Sequence, residues 1–213
     1  MITMAIFSLV GLVIITFKDK TQIYQNMSDY GWVYLVLSYP LTLIIHDAYF
    51  YWTHRMMHHR KLYRVIHRTH HLSHNPSPWA AFSFHPLEAI VEAGIFPLLV
   101  FTLPFHPLVL FSFLLTMMVL NVIGHLGYEI YPKNWTRHWF GQWQNTSTHH
   151  NMHHELVKGN YGLYFNWWDC WMGTNHEKYL ERFDEVKERP KERKQNNGMA
   201  TQQGNQEKEL ALN

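Results

Sequence analysis

Histidine recurs three or four residues apart beside strongly apolar runs: His54 and His58, then His67, His70 and His71, and far along the chain His150, His153 and His154. On a helix, positions i, i+3 and i+4 share a face, so each group can aim two or three imidazoles at one point. Imidazole ligates iron, zinc and copper. The chain holds 17 histidines but a single cysteine, Cys170, which excludes an internal disulfide framework and any multi-cysteine metal site within it. Histidine is therefore the ligand type, and Cys170 reads as a packed small residue.

Four apolar runs bound the fold. Ile2 to Phe17 carries no charge and is short for a full span; Lys18-Asp19-Lys20 follows directly, without the small-residue pattern of a cleaved leader. Gly31 to Ile45 continues through Ala48 to Trp52, interrupted at Pro40 and at His46-Asp47. Ala80 to Leu103 and Leu108 to Leu126 follow, joined by Pro104-Phe105-His106-Pro107, where proline at both ends suits a tight reversal. The expected fold is all-α: an integral membrane bundle of about four transmembrane helices with a cytosolic, histidine-rich helical cap holding a di-metal site. The reversal brings His125 level with the earlier histidines. Arg55, Arg60, Lys61, Arg64 and Arg68 crowd the loop after the second run, and Lys133 and Arg137 follow the fourth, whereas the opposite side shows Lys18 and Lys20. The positive-inside rule then puts the cap in the cytosol. Trp32, Tyr49, Tyr51, Trp52, Tyr128, Tyr131 and Trp135 cluster at the ends of the runs, as interfacial aromatics do. A formal charge of +2 makes no case for nucleic acid. Residues 1–183 form the expected membrane domain, and 184–213 a polar tail with almost nothing apolar to bury, expected to be disordered.

Nine imidazoles, those of His54, His58, His67, His70, His71, His125, His150, His153 and His154, exceed what one ion binds, since zinc takes about four ligands and octahedral iron about six. Two ions are implied. An all-histidine pair leaves positive charge uncompensated, so carboxylates are expected to accept hydrogen bonds from the far ring nitrogens. Asp47, Glu88, Glu129 and Asp169 are the candidates, each an acid beside or within an apolar or aromatic segment. The bland reading of each is a cap or an interfacial charge, and for Glu88 the two readings balance. Asn121, one turn before His125, either offers its amide to a metal or its water, or packs helices together. His46 either faces the cluster or ends a span. His74, His85, His106, His138, His149 and His176 read as packing, turn or interface residues. The stretch His154-Glu155-Leu156-Val157-Lys158 does not complete His-Glu-x-x-His, which counts against a zinc peptidase.

Five segments stand together: Asp47-x-x-x-Tyr51-Trp52-x-His54-Arg55-x-x-His58, His67-x-x-His70-His71, Phe84-His85-Pro86-Leu87-Glu88, Asn121-x-x-x-His125-x-Gly127-x-Glu129 and His150-x-x-His153-His154. Asn160-Tyr161-Gly162 and Trp168-Asp169-x-x-x-Gly173-Thr174 follow further along. Over roughly Asp47 to Thr174 the chain resembles the fatty acid hydroxylase and sterol desaturase superfamily of membrane di-iron enzymes. That resemblance implies two iron ions on these imidazoles, dioxygen as co-substrate, and a sterol or fatty acyl lipid hydroxylated or desaturated at a C–H bond. It also implies a separate electron donor of the cytochrome b5 or ferredoxin type, since these residues leave no room for a fused haem domain. Zinc can replace iron at imidazole sites in recombinant protein. The implied location is multi-pass, in a bacterial inner membrane or the endoplasmic reticulum. Trp79, Phe82, Phe84 and Phe165 either line the lipid pocket or pack the core. The alternative from another class is a membrane metal-binding or metal-transport protein without oxidase activity, which predicts ligands along a path across the bilayer rather than gathered on one face.

Overall fold

The computed structural model describes residues 2–189. Its helices in chain order are α1 (Ile2–Thr16), α2 (Gly31–Met57), the single turn α3 (Tyr63–Ile66), α4 (Pro86–Ala93), α5 (Ile95–Thr102), α6 (Pro107–Gly124), α7 (Ser147–Leu156) and α8 (Trp167–Trp171), followed by α9 over 179–189. Among the described residues there is no strand, only isolated bridges such as Ile23 to Phe105. The all-α expectation holds.

The expectation of about four spans does not carry over whole. Among the described residues only α2, with 27 residues, and α6, with 18, are long and apolar enough to cross a membrane. Helix α1 has 15 residues; at 1.5 Å per residue it measures about 22 Å, short of a hydrocarbon core of about 30 Å. The third run is broken into α4 and α5. Pro97 has no N–H for the Ala93 carbonyl and its ring crowds that carbonyl, so the helix is interrupted at Ala93–Gly94. The Tyr49 hydroxyl enters at the break and donates to the Val91 carbonyl at 2.6 Å. A Cβ on Gly94 would stand 2.9 Å from that hydroxyl, so the close approach needs glycine. Helix α2, in contrast, carries Pro40 and His46-Asp47 inside one continuous element.

Helix α1 packs on α4 and α5, and α2 on α6. Their shared interior is apolar: Leu35, Ile95, Phe96, Leu99, Phe105, Val109 and Phe113 form one buried cluster. Outward faces are apolar too, with Val33 74% and Phe111 65% exposed. Water disfavours such a belt and hydrocarbon accepts it. The reversal between α5 and α6 is as expected: Pro107 opens α6 and His106 Nδ1 accepts the Leu108 N–H at 3.2 Å.

The helical body runs past 183. Tyr179 and Phe183, four residues apart on α9, are both buried, and the same helix continues to 189. Arg137 donates to both carboxylate oxygens of Asp184, at 2.9 and 2.6 Å, and Lys133 pairs with Glu188. The remainder of the polar tail, 190–213, lies outside the described residues.

Candidate metal centre

All nine candidate imidazoles come together, in two adjacent nests. His54, His58, His67, His71 and His153 form the first; His70, His125, His150 and His154 form the second; within each, the ligating atoms lie within 4.8 Å of one another. The ring nitrogens face inward. In the first nest, His67 Nε2 lies 2.9 Å from His54 Nε2 and 3.1 Å from His71 Nε2. In the second, His125 Nε2 lies 2.9 Å from His150 Nε2 and 3.3 Å from His70 Nε2.

Each His-x-x-His-His group aims two of its imidazoles, not three, at one point, and turns the third to the other nest. His150 and His154, four apart on α7, share a face and serve the second nest, while His153, about a hundred degrees round the helix from His154, turns to the first. The earlier group divides the opposite way. His67 and His71 serve the first nest and His70 the second. It does so without an α-helix: α3 ends before His67, and His70–Leu72 is a 3₁₀ turn. Each triplet thus ties the two nests together, and the rings of His70 and His154 stand 4.5 Å apart, centroid to centroid.

Backbone carbonyls set the direction of several rings. His54 Nδ1 donates to Tyr161 O, His125 Nδ1 to Asn121 O and His153 Nδ1 to Gly159 O, each at 2.8 Å. A carbonyl only accepts, so Nδ1 carries the hydrogen and Nε2 presents its lone pair to the nest. Two of these carbonyls come from the turn after α7. There the chain reverses through left-handed Val157, Gly159 and Asn160, at φ 65°, 81° and 53°. Asn160 is fully buried and braces the turn: its Nδ2 donates to His149 O, and its Oδ1 accepts from the His176 N–H.

Of the four candidate carboxylates, only Glu88 reaches a ligand ring, with Oε1 at 2.7 Å from His67 Nδ1. The other three are spent on backbone N–H groups and on side-chain donors outside the nests. Asp47 accepts from the Tyr164 and Phe165 N–H groups and from Trp167 Nε1. Glu129 accepts from the N–H and hydroxyl of Thr148, in the first turn of α7, where a carboxylate suits the positive end of the helix. Asp169 accepts from the N–H groups of Tyr161 and Gly162 and from the Thr174 hydroxyl, so it holds the loop whose Tyr161 carbonyl orients His54. Asp47, Glu129 and Asp169 therefore build the frame around the rings rather than touching them. Asn121 is not aimed at a nest: its Nδ2 donates to Ala81 O at 2.9 Å, although its side chain borders the cavity described below.

Burial, followed by the neighbouring imidazoles, drives His67, His70, His150 and His153 well below the usual histidine range. Burial likewise holds His71 at about 4 and His154 at about 2. These rings are neutral at pH 7, the form that ligates metal. His153 Nε2 is buried with no hydrogen-bond partner among the described residues. An orphaned acceptor inside a ring of imidazoles costs free energy that a cation removes. At metal–nitrogen bonds of about 2.1 Å, neighbouring octahedral ligands sit about 3.0 Å apart, and the closest pairs within the nests, at 2.9 to 3.3 Å, lie near that. The residues fit two metal ions.

A cavity of about 50 Å³ touches both nests, through His54 and His67 on one side and His70, His125 and His150 on the other. Of the four aromatics left open between pocket lining and packing, Phe82 and Phe84 line it; Trp79 is among the most exposed side chains, at 86%, and Phe165 borders a separate surface groove. His46 also lines the cavity, its Nδ1 paired with the Tyr164 hydroxyl at 2.8 Å, and belongs to neither nest. Sequence reasoning missed Glu92. It follows Glu88 by four residues on the same face of α4 and lines the same cavity. The signal was available: a second acid inside the apolar run Ala89-Ile90-Val91-Glu92-Ala93.

Residues 39–174 match the model of the fatty acid hydroxylase family. The chain belongs to that family. A Delta(7)-sterol 5(6)-desaturase of Gibberella zeae is 31% identical over 188 residues, covering 88% of this chain and 56% of that protein. Lathosterol oxidase of Rattus norvegicus is 32% identical over 162 residues, 75% of this chain and 52% of that protein. Methylsterol monooxygenase 1 of Rattus norvegicus is 32% identical over 148 residues, 67% and 48% of the two chains. By name these relatives are oxidoreductases. This fatty acid hydroxylase family member spans about half the length of the curated relatives it matches. No solved structure matches it significantly.

Proposed function

We propose that this family member is a membrane oxidoreductase that binds two iron ions, one in each nest, and uses dioxygen to hydroxylate or desaturate a C–H bond of a sterol or fatty acyl lipid. The observation that carries the reading is a pair of buried all-imidazole nests opening on one cavity. Iron bound there would supply the activation of dioxygen and the removal of hydrogen from an unactivated C–H bond. The protein's own part is positional. Tyr161, Gly159 and Asn121 carbonyls fix three ring tautomers, and the Glu88 carboxyl group, pushed up to about 10 by burial in the metal-free chain, holds His67 Nδ1 and would stand there as a carboxylate once a cation is bound. The lipid reading draws on the apolar belt and on Phe7 and Met117, which border both the cavity at the nests and a larger apolar groove of about 440 Å³ along α1 and α6. An apolar substrate enters such a route without passing through water.

In this reading α2 and α6 cross the bilayer, α1 and the broken α4–α5 segment pack inside the apolar belt, and the nests face the cytosol. Electrons arrive from a separate carrier of the cytochrome b5 or ferredoxin type. The test is lipid mass spectrometry of cells expressing the chain beside cells expressing His70→Ala. The reading predicts lipids that gain one oxygen or lose two hydrogens only with the intact chain. Equal products from the His70→Ala cells would overturn it.

A further inference from the structure

Glu92 is an acid that the nests do not use. It is 9% exposed, lines the cavity beneath the histidines, and forms no hydrogen bond or ion pair among the described residues. Its neighbours on the cavity wall are engaged: His46 with the Tyr164 hydroxyl, Asn121 with the Ala81 carbonyl, and Glu88 Oε1 with His67. Glu88 Oε2 and His70 Nδ1, on the same wall, also lack a partner among the described residues. Around these acids the lining includes Phe7, Phe50, Phe82, Met117 and Leu163. A carboxyl group left unpaired among such side chains is costly unless something that enters the cavity satisfies it.

We propose that Glu92 is the anchor for a free hydroxyl group on the lipid substrate. The proposal rests on reading the cavity as the lipid site. A carboxyl group can accept a hydrogen bond from a hydroxyl and, when protonated, donate one back. The geometry narrows the ligand further. Glu88 grips His67 in the first nest, and Glu92 lies one helical turn along α4, about 6 Å away. Glu92 and rings of both nests line one cavity of about 50 Å³, so a hydroxyl held by Glu92 and a carbon placed over the nests share that small space. That selects a lipid alcohol whose hydroxyl is close to the oxidised C–H bond, as on a fused ring, over a chain whose polar group is remote. Glu92 acts as a specificity-determining residue, through the substrate's hydroxyl and not through the metals.

The test uses the full chain in lipid nanodiscs, loaded with zinc as a redox-silent occupant, and measures binding of cholestanol and of its 3-methyl ether. The wild-type chain should bind the alcohol at least about ten-fold more tightly than the ether, the worth of one well-made buried hydrogen bond. Glu92→Leu should remove the preference by weakening the alcohol to the level of the ether. Glu92→Gln, which keeps a donor and an acceptor, should retain most of it. Metal content and thermal midpoint establish that both variants are folded. Equal binding of alcohol and ether by the wild type overturns the proposal, and so does binding of neither, or a preference that survives in Glu92→Leu. Sharing of a proton between Glu88 and Glu92 without any ligand role predicts the first of these results. The two readings fail separately. Oxidised lipid in expressing cells together with equal binding leaves the oxidase and removes the anchor; Glu92-dependent binding without oxidised lipid does the reverse.

Discussion

Glu88 is the one carboxylate among the described residues that touches a candidate ligand ring, and Glu88→Gln isolates what its charge contributes. The glutamine carbonyl can still accept from His67 Nδ1, where the carboxylate oxygen now lies at 2.7 Å, so ring direction is kept and only the negative charge is lost. An ion on His67 Nε2 would sit about 6.5 Å from that charge, given the width of the ring and a metal–nitrogen bond of about 2.1 Å. At an effective dielectric of about 20, a unit charge and a divalent ion attract by about 5 kcal/mol at that distance. Burial pushes the Glu88 carboxyl up to about 10 in the metal-free chain, so a bound ion must first ionise it; that cost offsets much of the attraction, leaving the ten- to hundred-fold in affinity typical of groups that support a ligand ring, or about 1.4–2.7 kcal/mol. The assay is graded chelator competition with zinc on the full chain in nanodiscs, resolving two binding steps. The first nest should weaken by about ten- to hundred-fold, and the second, which Glu88 does not touch, should stay within about three-fold. Wild-type affinity at both steps would refute the charge argument; equal loss at both would refute the separation of the nests.

The loop behind His54 should be as sensitive as the ligands. Asp169→Ala leaves two backbone N–H groups and the Thr174 hydroxyl without their acceptor, and should cost about 3 kcal/mol or more in denaturation experiments, with loss of metal from the first nest; a stable, metal-replete variant would contradict this. Gly162→Ala should act in the same direction, because its Cβ would fall 2.4 Å from Phe165 O and 3.0 Å from Asp169 Oδ2; an unchanged thermal midpoint would show that the loop can give way. The metal-free protein should also lose stability in acid. His71 titrates at about 4 when folded, because of its burial, against an ordinary value near 6.5. The unfolded chain therefore takes up protons first, and stability falls as pH drops from about 6.5 towards 4, by up to about 1.4 kcal/mol per pH unit for each such ring. Stability that is flat across this window would contradict the neutral, buried assignment.

The clustering was legible in the sequence because ligands recur at fixed spacings, and the nine imidazoles singled out by spacing and by the reversal before α6 meet in two nests that could hold metal. How they divide was not. The split of each His-x-x-His-His group depends on where α7 packs and on His67–His71 leaving the helix, and neither is encoded in the spacing itself. Carboxylates were harder still. An acid in an apolar setting marks a site of interest but not what meets it: Asp47, Glu129 and Asp169 accept from backbone N–H groups, Glu88 meets a ring, and Glu92 meets no hydrogen-bond or ion-pair partner among the described residues. Backbone carbonyls that orient His54, His125 and His153 leave no mark in composition at all. The third apolar run was long enough for a span by count, but Pro97 removes a hydrogen bond in its middle and Gly94 admits Tyr49 at the break.

Metal stoichiometry tests the central claim most directly. The full chain, loaded anaerobically with ferrous iron and freed of excess, should carry two ions per chain, and the double variant His125→Ala with His150→Ala should carry one, held by the five rings of the first nest. A wild-type chain that retains one ion or none, or a double variant that still retains two, would contradict a pair of separate histidine nests.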